Sequence, residues 1–172
     1  MPKMIKSSDI HGIEYDVPTD QLVWRPAAYA IVIHDGKILL TKQHNAFHLP
    51  GGGVELGEMP EDGVIREVKE ETGLLVHNPR LVGHISGFFT QTWKDRDTRV
   101  HVQSILLYYH CNFAGGVLST DGFEDDEKLI GDMSEWIPIE ELDTIVAGST
   151  IDWRSVARKV TNEYGHYNHT DL

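Results

Sequence analysis

Cys111 is the only cysteine, so no disulfide can form within the chain, and one thiol says little about compartment. No apolar run approaches the roughly 20 residues of a membrane span. The opening stretch, MPKMIKSSDIHGIEYD, lacks the apolar core of a secretion signal. Positive charge is scarce: 15 Lys and Arg stand against 27 Asp and Glu, a formal net charge of −12. That sign counts against non-specific binding to nucleic acid or to an anionic membrane. It suits a protein that recruits cations to meet an anionic substrate. Internal repeats and interdomain linkers are also missing. What remains, 172 residues of which 40% are apolar, is enough for one domain with a real core. A soluble, cytoplasmic protein is expected, with an arm over 1–20, a single domain over 21–165 and a frayed tail over 166–172.

Several stretches read as strands. Ala27 to Ile33 (AAYAIVI) has the continuous apolar run of a buried strand, and Asp35-Gly36 signals the hairpin turn into a partner strand from Ile38 to Thr41. Phe47 to Leu49 leads into three consecutive glycines. Leu74 to Val76, Leu81 to Phe89 and the β-branched, aromatic Val100 to Phe113 are strand-like. Thr90 to Thr98 reads as a polar loop tip, and Ala114 to Asp132 as a glycine-rich acidic loop. A short last strand, Glu135 to Ile139, is interrupted by Pro138 and followed by a helical turn from Glu140 to Val146.

Two helices are expected. Pro60 to Thr72 is the first, with Gly73 placed for a left-handed C-cap. Ile151 to Tyr164 is the second; its apolar stripe (Trp153, Val156, Val160, Tyr164) suits packing on the sheet or, less simply, a homodimer interface. The pattern predicts an α/β sandwich with a mixed sheet.

The first helix carries an oddity. At about 100° per residue, Val64, Ile65 and Val68 share one arc of roughly 100°, and Glu67, Glu70 and Glu71 crowd another. Like charges at these spacings cost a few tenths of a kcal/mol each. An acidic solvated face is the ordinary explanation. Here, though, Gly51, Gly52 and Gly53 deliver the chain to this same helix, and glycines let a ligand approach the backbone. Carboxylates and backbone carbonyls are the hard oxygen ligands of Mg²⁺ or Mn²⁺. A divalent ion turns the repulsion into stabilisation.

The spacing is specific. Gly52, five residues, Glu58, seven residues, Arg66-Glu67-Val68, one residue, Glu70-Glu71, one residue, Gly73-Leu74 resembles the Nudix box, Gx5Ex7REUxEExGU with U aliphatic, without a mismatch. Seven fixed positions would recur by chance roughly once in 10⁹ starts. RPAAYAIVIHDGKILLT and EWIPIEEL also resemble Nudix segments, extending the likeness loosely from Arg25 to Leu142.

The resemblance implies a Nudix-type α/β/α sandwich and a pyrophosphohydrolase acting on a nucleoside diphosphate derivative with Mg²⁺, or Mn²⁺, as cofactor. It implies Glu67, Glu70 and Glu71 as metal ligands with the Gly52 carbonyl, Arg66 as the side chain that orients them, and Glu58, Gly51 and Gly53 as support of the loop. The catalytic base varies in the family; a box glutamate or Glu127 in the acidic loop (with Glu124 as another candidate) would serve. Met59 and Gly63 depart from the usual Ser or Thr cap and alanine, which weakens the helix locally.

No subfamily signature identifies the substrate. Phe88, Phe89 and Thr90 hold neither the proline associated with ADP-ribose hydrolases nor the tyrosine associated with diadenosine polyphosphate hydrolases. By elimination the chain resembles small MutT-like members acting on nucleoside triphosphates or related nucleotides. Phe47 and Trp93 are candidates to stack on a base, and Arg25, Lys42, Arg96 and Arg99 to meet phosphates. His44, His48, His84, His101 and His110 have no zinc-ligand spacing. Two other readings are a non-catalytic nucleotide-sensing module, which the intact box opposes, and an RNA 5′-end pyrophosphohydrolase, which the net charge opposes.

Overall fold

The computed structural model describes residues 1–9, 11–43, 46–93, 98–122, 131–148 and 152–167. Its strands are β1 (Met4–Ser8), β2 (Glu14–Pro18), β3 (Leu22–Trp24), β4 (Ala27–His34), β5 (Lys37–Gln43), β6 (Ala46–His48), β7 (Gly51–Gly53), β8 (Leu74–Trp93), β9 (Thr98–Gly116) and β10 (Gly131–Pro138). Its helices are α1 (Pro60–Thr72) and α2 (Arg154–Tyr167), with short 3₁₀ turns at Thr19–Gln21 and Ile139–Glu141.

The sheet is mixed and runs β10-β5-β4-β9-β8-β1-β2, with β3 on β9, β6 on β5 and β7 on β4. Strand β4 is central because it is apolar on both faces. It pairs parallel with β9 from Ala27↔Leu106 to Val32↔Cys111, and antiparallel with β5 through the predicted turn. That turn has Asp35 at φ 48° and Gly36 at φ 71°, the two left-handed residues that match the right-handed twist of a hairpin.

Alternation along β4 feeds two cores. Ala27, Ile31 and Ile33 face one side, where Leu106, Tyr108, Trp153, Val156 and Val160 close the layer under α2. Ala28, Ala30 and Val32 face the other, against Val64 and Val68 of α1 and Tyr109 and Cys111 of β9. The apolar stripe of α2 therefore packs on the sheet. Val64 and Val68 are fully buried. At about 2 kcal/mol each, they outweigh the few tenths lost to carboxylate repulsion on the adjoining face.

The strands expected as Leu74 to Val76 and Leu81 to Phe89 are one continuous β8, bent by irregularities near Leu75/Val76, His77/Arg80 and Leu81/Gly83. Of the segment expected as a loop tip, Thr90 to Trp93 belong to β8 and Thr98 to β9, and 94–97 lie outside the described residues. Helix α2 begins three residues later than expected and runs to Tyr167. Met1 to Asp20, expected as an arm, contains the β1–β2 hairpin. It joins the sheet at Ser8↔Phe89, and Ser7 Oγ lies 2.8 Å from Thr90 Oγ1 in a buried hydrogen bond. Among the described residues no helix is long and apolar enough to cross a membrane.

Candidate active site

Helix α1 starts without a side-chain cap: Met59 is the N-cap and makes no such bond. Pro60 at the first position removes one unsatisfied N–H, and Glu61 and Asp62 complement the positive end of the helix dipole. The helix ends on Gly73 at φ 74°, whose N–H donates to Lys69 O at 3.0 Å. A Cβ there would lie 2.6 Å from Val117 O, so both conformation and space require glycine.

Arg66 organises the helix face. Its Nε donates to Glu58 Oε1 at 2.9 Å and its Nη2 to Glu58 Oε2 at 3.0 Å. The same Nη2 donates to Gly53 O at 3.2 Å, and Nη1 donates to Glu67 Oε1 at 3.0 Å and Glu70 Oε2 at 2.8 Å. One guanidinium thus fastens the loop before α1 and two of the three box glutamates. Glu58, hydrogen-bonded by Arg66 and by the Glu55 N–H, is held below the usual carboxylate range. Arg66, surrounded by these acceptors with Glu58 first, is held above its ordinary range and stays charged. Gly63 has a local reason: a Cβ there would lie 2.9 Å from Glu58 Oε2, inside the space the fork occupies.

The third box glutamate, Glu71, is buried. Its Oε2 accepts the Gly51 N–H at 2.7 Å, and its carbonyl accepts from Ser134 Oγ of β10 at 3.1 Å.

Each glycine of the triplet accommodates a different neighbour. Gly51 has φ 142° and faces the β4 backbone; a Cβ would lie 2.6 Å from Tyr29 Cα. A Cβ on Gly52 would lie 2.7 Å from Glu67 Oε1, and one on Gly53 3.0 Å from Arg25 Nη2. The loop is bare so that a carboxylate and a guanidinium can lie against it.

These groups line one polar cleft of about 350 Å³: Gly51, Gly52, Gly53, Glu55, Arg66, Glu67, Glu70 and Glu71, together with Arg25, Tyr29 and Gln43. The donor set, three carboxylates and the half-buried backbone of the glycine strand, has the hardness a divalent ion of the Mg²⁺ kind needs. Among the described residues no three acidic, histidine or cysteine side chains are drawn together tightly enough to ligate one ion. The reason is visible: Arg66 Nη1 bridges Glu67 and Glu70, while Glu71 is turned to the Gly51 N–H.

A smaller recess of about 50 Å³ is lined by Tyr29, His48, Leu49, Leu106, Tyr108 and Trp153. Tyr29 belongs to both spaces and stacks on Tyr108 with ring centroids 5.9 Å apart. Trp153 is buried, and its indole N–H has no hydrogen-bond partner among the described residues. In sequence, His48 reads as a strand or loop residue and Trp153 as part of the apolar stripe of α2. The recess draws on four separated segments, and no local spacing announces it.

Other expected contacts lie elsewhere. Phe47 packs against the α2-side core with the Lys42 ammonium 5.6 Å from its ring centre. Arg99 is exposed and covers the Tyr15 ring of the N-terminal hairpin at 4.6 Å. Neither is among the residues that line the cleft. Glu124, Glu127, Arg96 and the Trp93 side chain lie outside what the structure describes.

Residues 23–162 match the family model described as NUDIX domain. The chain belongs to the Nudix family. That places it among the Nudix pyrophosphohydrolases, enzymes that generally use divalent metal ions. A protein named ADP-ribose pyrophosphatase from Methanocaldococcus jannaschii is 38% identical over 131 residues, 64% of this chain and 73% of its own length. An RNA pyrophosphohydrolase from Bartonella quintana is 25% identical over 171 residues, 88% of this chain and 96% of its own. The crystal structure of a MutT Nudix hydrolase from Burkholderia pseudomallei superposes with a TM-score of 0.58 at 23% identity, covering 80% of this chain and 98% of that one. This last likeness is one of fold, and the Nudix α/β/α architecture is the one described above.

Proposed function

We propose that this protein hydrolyses a diphosphate linkage in a small nucleoside diphosphate derivative, with a nucleoside triphosphate as the first choice of substrate and Mg²⁺ or Mn²⁺ as cofactor. The observation that carries the reading is the convergence of Glu67, Glu70, Glu71, Arg66 and the bare Gly51–Gly53 backbone on one polar cleft. The Gly52 carbonyl and the three carboxylates are the groups that would hold the ion. Once bound, the ion supplies charge neutralisation at the phosphates and acidifies a water.

The chain's own residues do the rest. Arg66 keeps Glu67 and Glu70 aligned on the cleft wall, so little reorganisation is needed when substrate arrives. The Glu58 fork holds Arg66 itself in place. A carboxylate in hydrogen-bond reach of the attacking water takes its proton; a box glutamate or Glu127 of the acidic loop is the candidate. The aromatic recess continuing past Tyr29 favours a substrate with a flat ring beside its phosphates.

ADP-ribose is the second reading, favoured by the name of the 38% identical relative. The test is a panel of nucleoside triphosphates, ADP-ribose and a 5′-triphosphorylated RNA, each with Mg²⁺ and with Mn²⁺, read by product chromatography. Metal-dependent cleavage of a nucleoside triphosphate is the expected result. Preferential cleavage of ADP-ribose to AMP and ribose 5-phosphate selects the second reading. No turnover of anything would leave a nucleotide-sensing module.

A further inference from the structure

The charge around the cleft is lopsided. Glu55, Glu67, Glu70 and Glu71 line it, and among the described residues two cations answer them there, Arg25 and Arg66. Arg66 is fully engaged, with three carboxylates and a carbonyl on its five N–H groups. Arg25 makes no ion pair with a carboxylate among the described residues. A guanidinium left without a carboxylate, in a cleft that has several to offer, is placed for an anion that arrives from outside.

Its setting is built rather than incidental. The Arg25 N–H donates to Gln103 O at 3.0 Å and the Arg25 carbonyl accepts from Ser104 Oγ at 2.5 Å, so the backbone is pinned to β9 on both sides of the residue. Pro26 follows and stiffens it further. The guanidinium lies flat over Gly53: Nη2, Cζ and Nε would be 3.0, 3.2 and 3.3 Å from a Cβ there. The Tyr29 side chain lines the same cleft, near enough to feel the Arg25 charge. A planar fork with a fixed backbone and a flat seat is the form in which arginine recognises phosphate with little entropy loss.

We infer that Arg25 grips the substrate's diphosphate within the cleft that the glutamates line, with the bare Gly53 as its seat and Tyr29 beside it in the same lining. The inference rests on the reading of the cleft as a diphosphate site. Arg25 donates two hydrogen bonds to non-bridging phosphate oxygens. It sets which anions the cleft accepts, and its loss acts on substrate affinity.

Inorganic pyrophosphate with Mg²⁺ is the probe, and calorimetry of wild type, Arg25→Gln, Arg25→Lys, Tyr29→Phe and Gly53→Ala is the experiment. Arg25→Gln should weaken pyrophosphate binding about 10- to 100-fold. Arg25→Lys should recover part of the loss, having the charge without the fork. Gly53→Ala keeps the charge but fills the seat, and should weaken pyrophosphate about threefold or more. Mg²⁺ affinity without pyrophosphate should be equal or stronger in Arg25→Gln, since a cation has left the site; an unfolding defect would weaken it instead. In turnover, Tyr29→Phe should raise KM several-fold with kcat nearly unchanged. Wild-type pyrophosphate affinity in a folded Arg25→Gln overturns the inference, as does a wild-type protein that binds no pyrophosphate. If Arg25→Gln fails to fold, Arg25→Lys and Gly53→Ala decide. If pyrophosphate binding depends on Arg25 yet no nucleotide is hydrolysed, the hydrolase reading fails and the assignment of Arg25 stands.

Discussion

Arg66 and Glu58 meet as two parallel forks, Nε to Oε1 at 2.9 Å and Nη2 to Oε2 at 3.0 Å, across the joint between the glycine loop and α1. This pair fixes where the helix begins relative to the loop, which the missing cap at Met59 cannot do. The Arg66 side chain is 25% exposed and that of Glu58 16%, so the pair is only partly screened by water. Replacing Arg66 with alanine should cost about 2 kcal/mol, less than a fully buried pair, because solvent reaches the orphaned carboxylates. Arg66→Lys should recover under half of that, since lysine cannot fork. Urea unfolding with and without Mg²⁺ measures both, and the deficit should shrink with the ion present.

Glu70 is the most open of the three box glutamates and Glu71 is buried against the loop. Glu70→Gln should therefore leave thermal unfolding within a few degrees of wild type while turnover drops about a hundredfold or more. Glu71→Gln should lower turnover as far, with a larger loss of stability, because the Gly51 N–H then faces a weaker acceptor. Steady-state kinetics beside calorimetric Mg²⁺ titration separates the two.

Neighbouring glycines should fail in different ways. Gly51→Ala forces a side chain onto φ 142° and into the β4 backbone, and should destabilise by about 2 kcal/mol or more. Gly52 has no positive φ, and its added methyl meets only the Glu67 carboxylate. Gly52→Ala should change stability by under about 1 kcal/mol yet cut kcat by about tenfold or more through a displaced Glu67 carboxylate. Equal stability losses in the two variants would contradict this.

His101 ties the N-terminal hairpin to pH. Its Nδ1 lies 2.8 Å from Thr90 Oγ1, its ring is 5.8 Å from that of Tyr15, and Arg99 stands nearby. Burial, then the Arg99 charge, pushes its pKa below the ordinary 6.5. The unfolded chain therefore takes up this proton first as pH falls. Stability should decline from about pH 6.5 downward and level off below the folded-state value. Unfolding midpoints at pH 7.5 and 5.5 should differ less in His101→Gln than in wild type.

Much of the active-site half was legible because its information is local. Pro60–Thr72 is the helix that the apolar period and flanking residues predict, and Gly73 and Asp35-Gly36 adopt the conformations their chemistry demands. The glutamate spacing carried the family. The hairpin at the N-terminus was not legible because MIKSS and EYDVP bear only weak alternation. Its order comes from pairing with Phe89 and from the Ser7–Thr90 bond, made 83 positions away. The recess that Tyr29, Tyr108 and Trp153 line was not legible for a similar reason: each reads as core, and the packed sheet alone shows the space between them. The glycine triplet was legible as a need for bare backbone, but which glycine serves Glu67 and which Arg25 is a fact of three dimensions.

The sheet ends on β2 at one side and β10 at the other. Open borders of this kind invite neighbouring molecules to stack and grow fibres. Here β2 closes on Pro18 and carries Glu14 and Asp16 paired with Lys6, and β10 closes on Pro138 and carries Glu135 paired with Lys42. Prolines that cannot donate and charges that resist desiccation guard both rims, so the molecule should tolerate high concentration without assembling edge to edge.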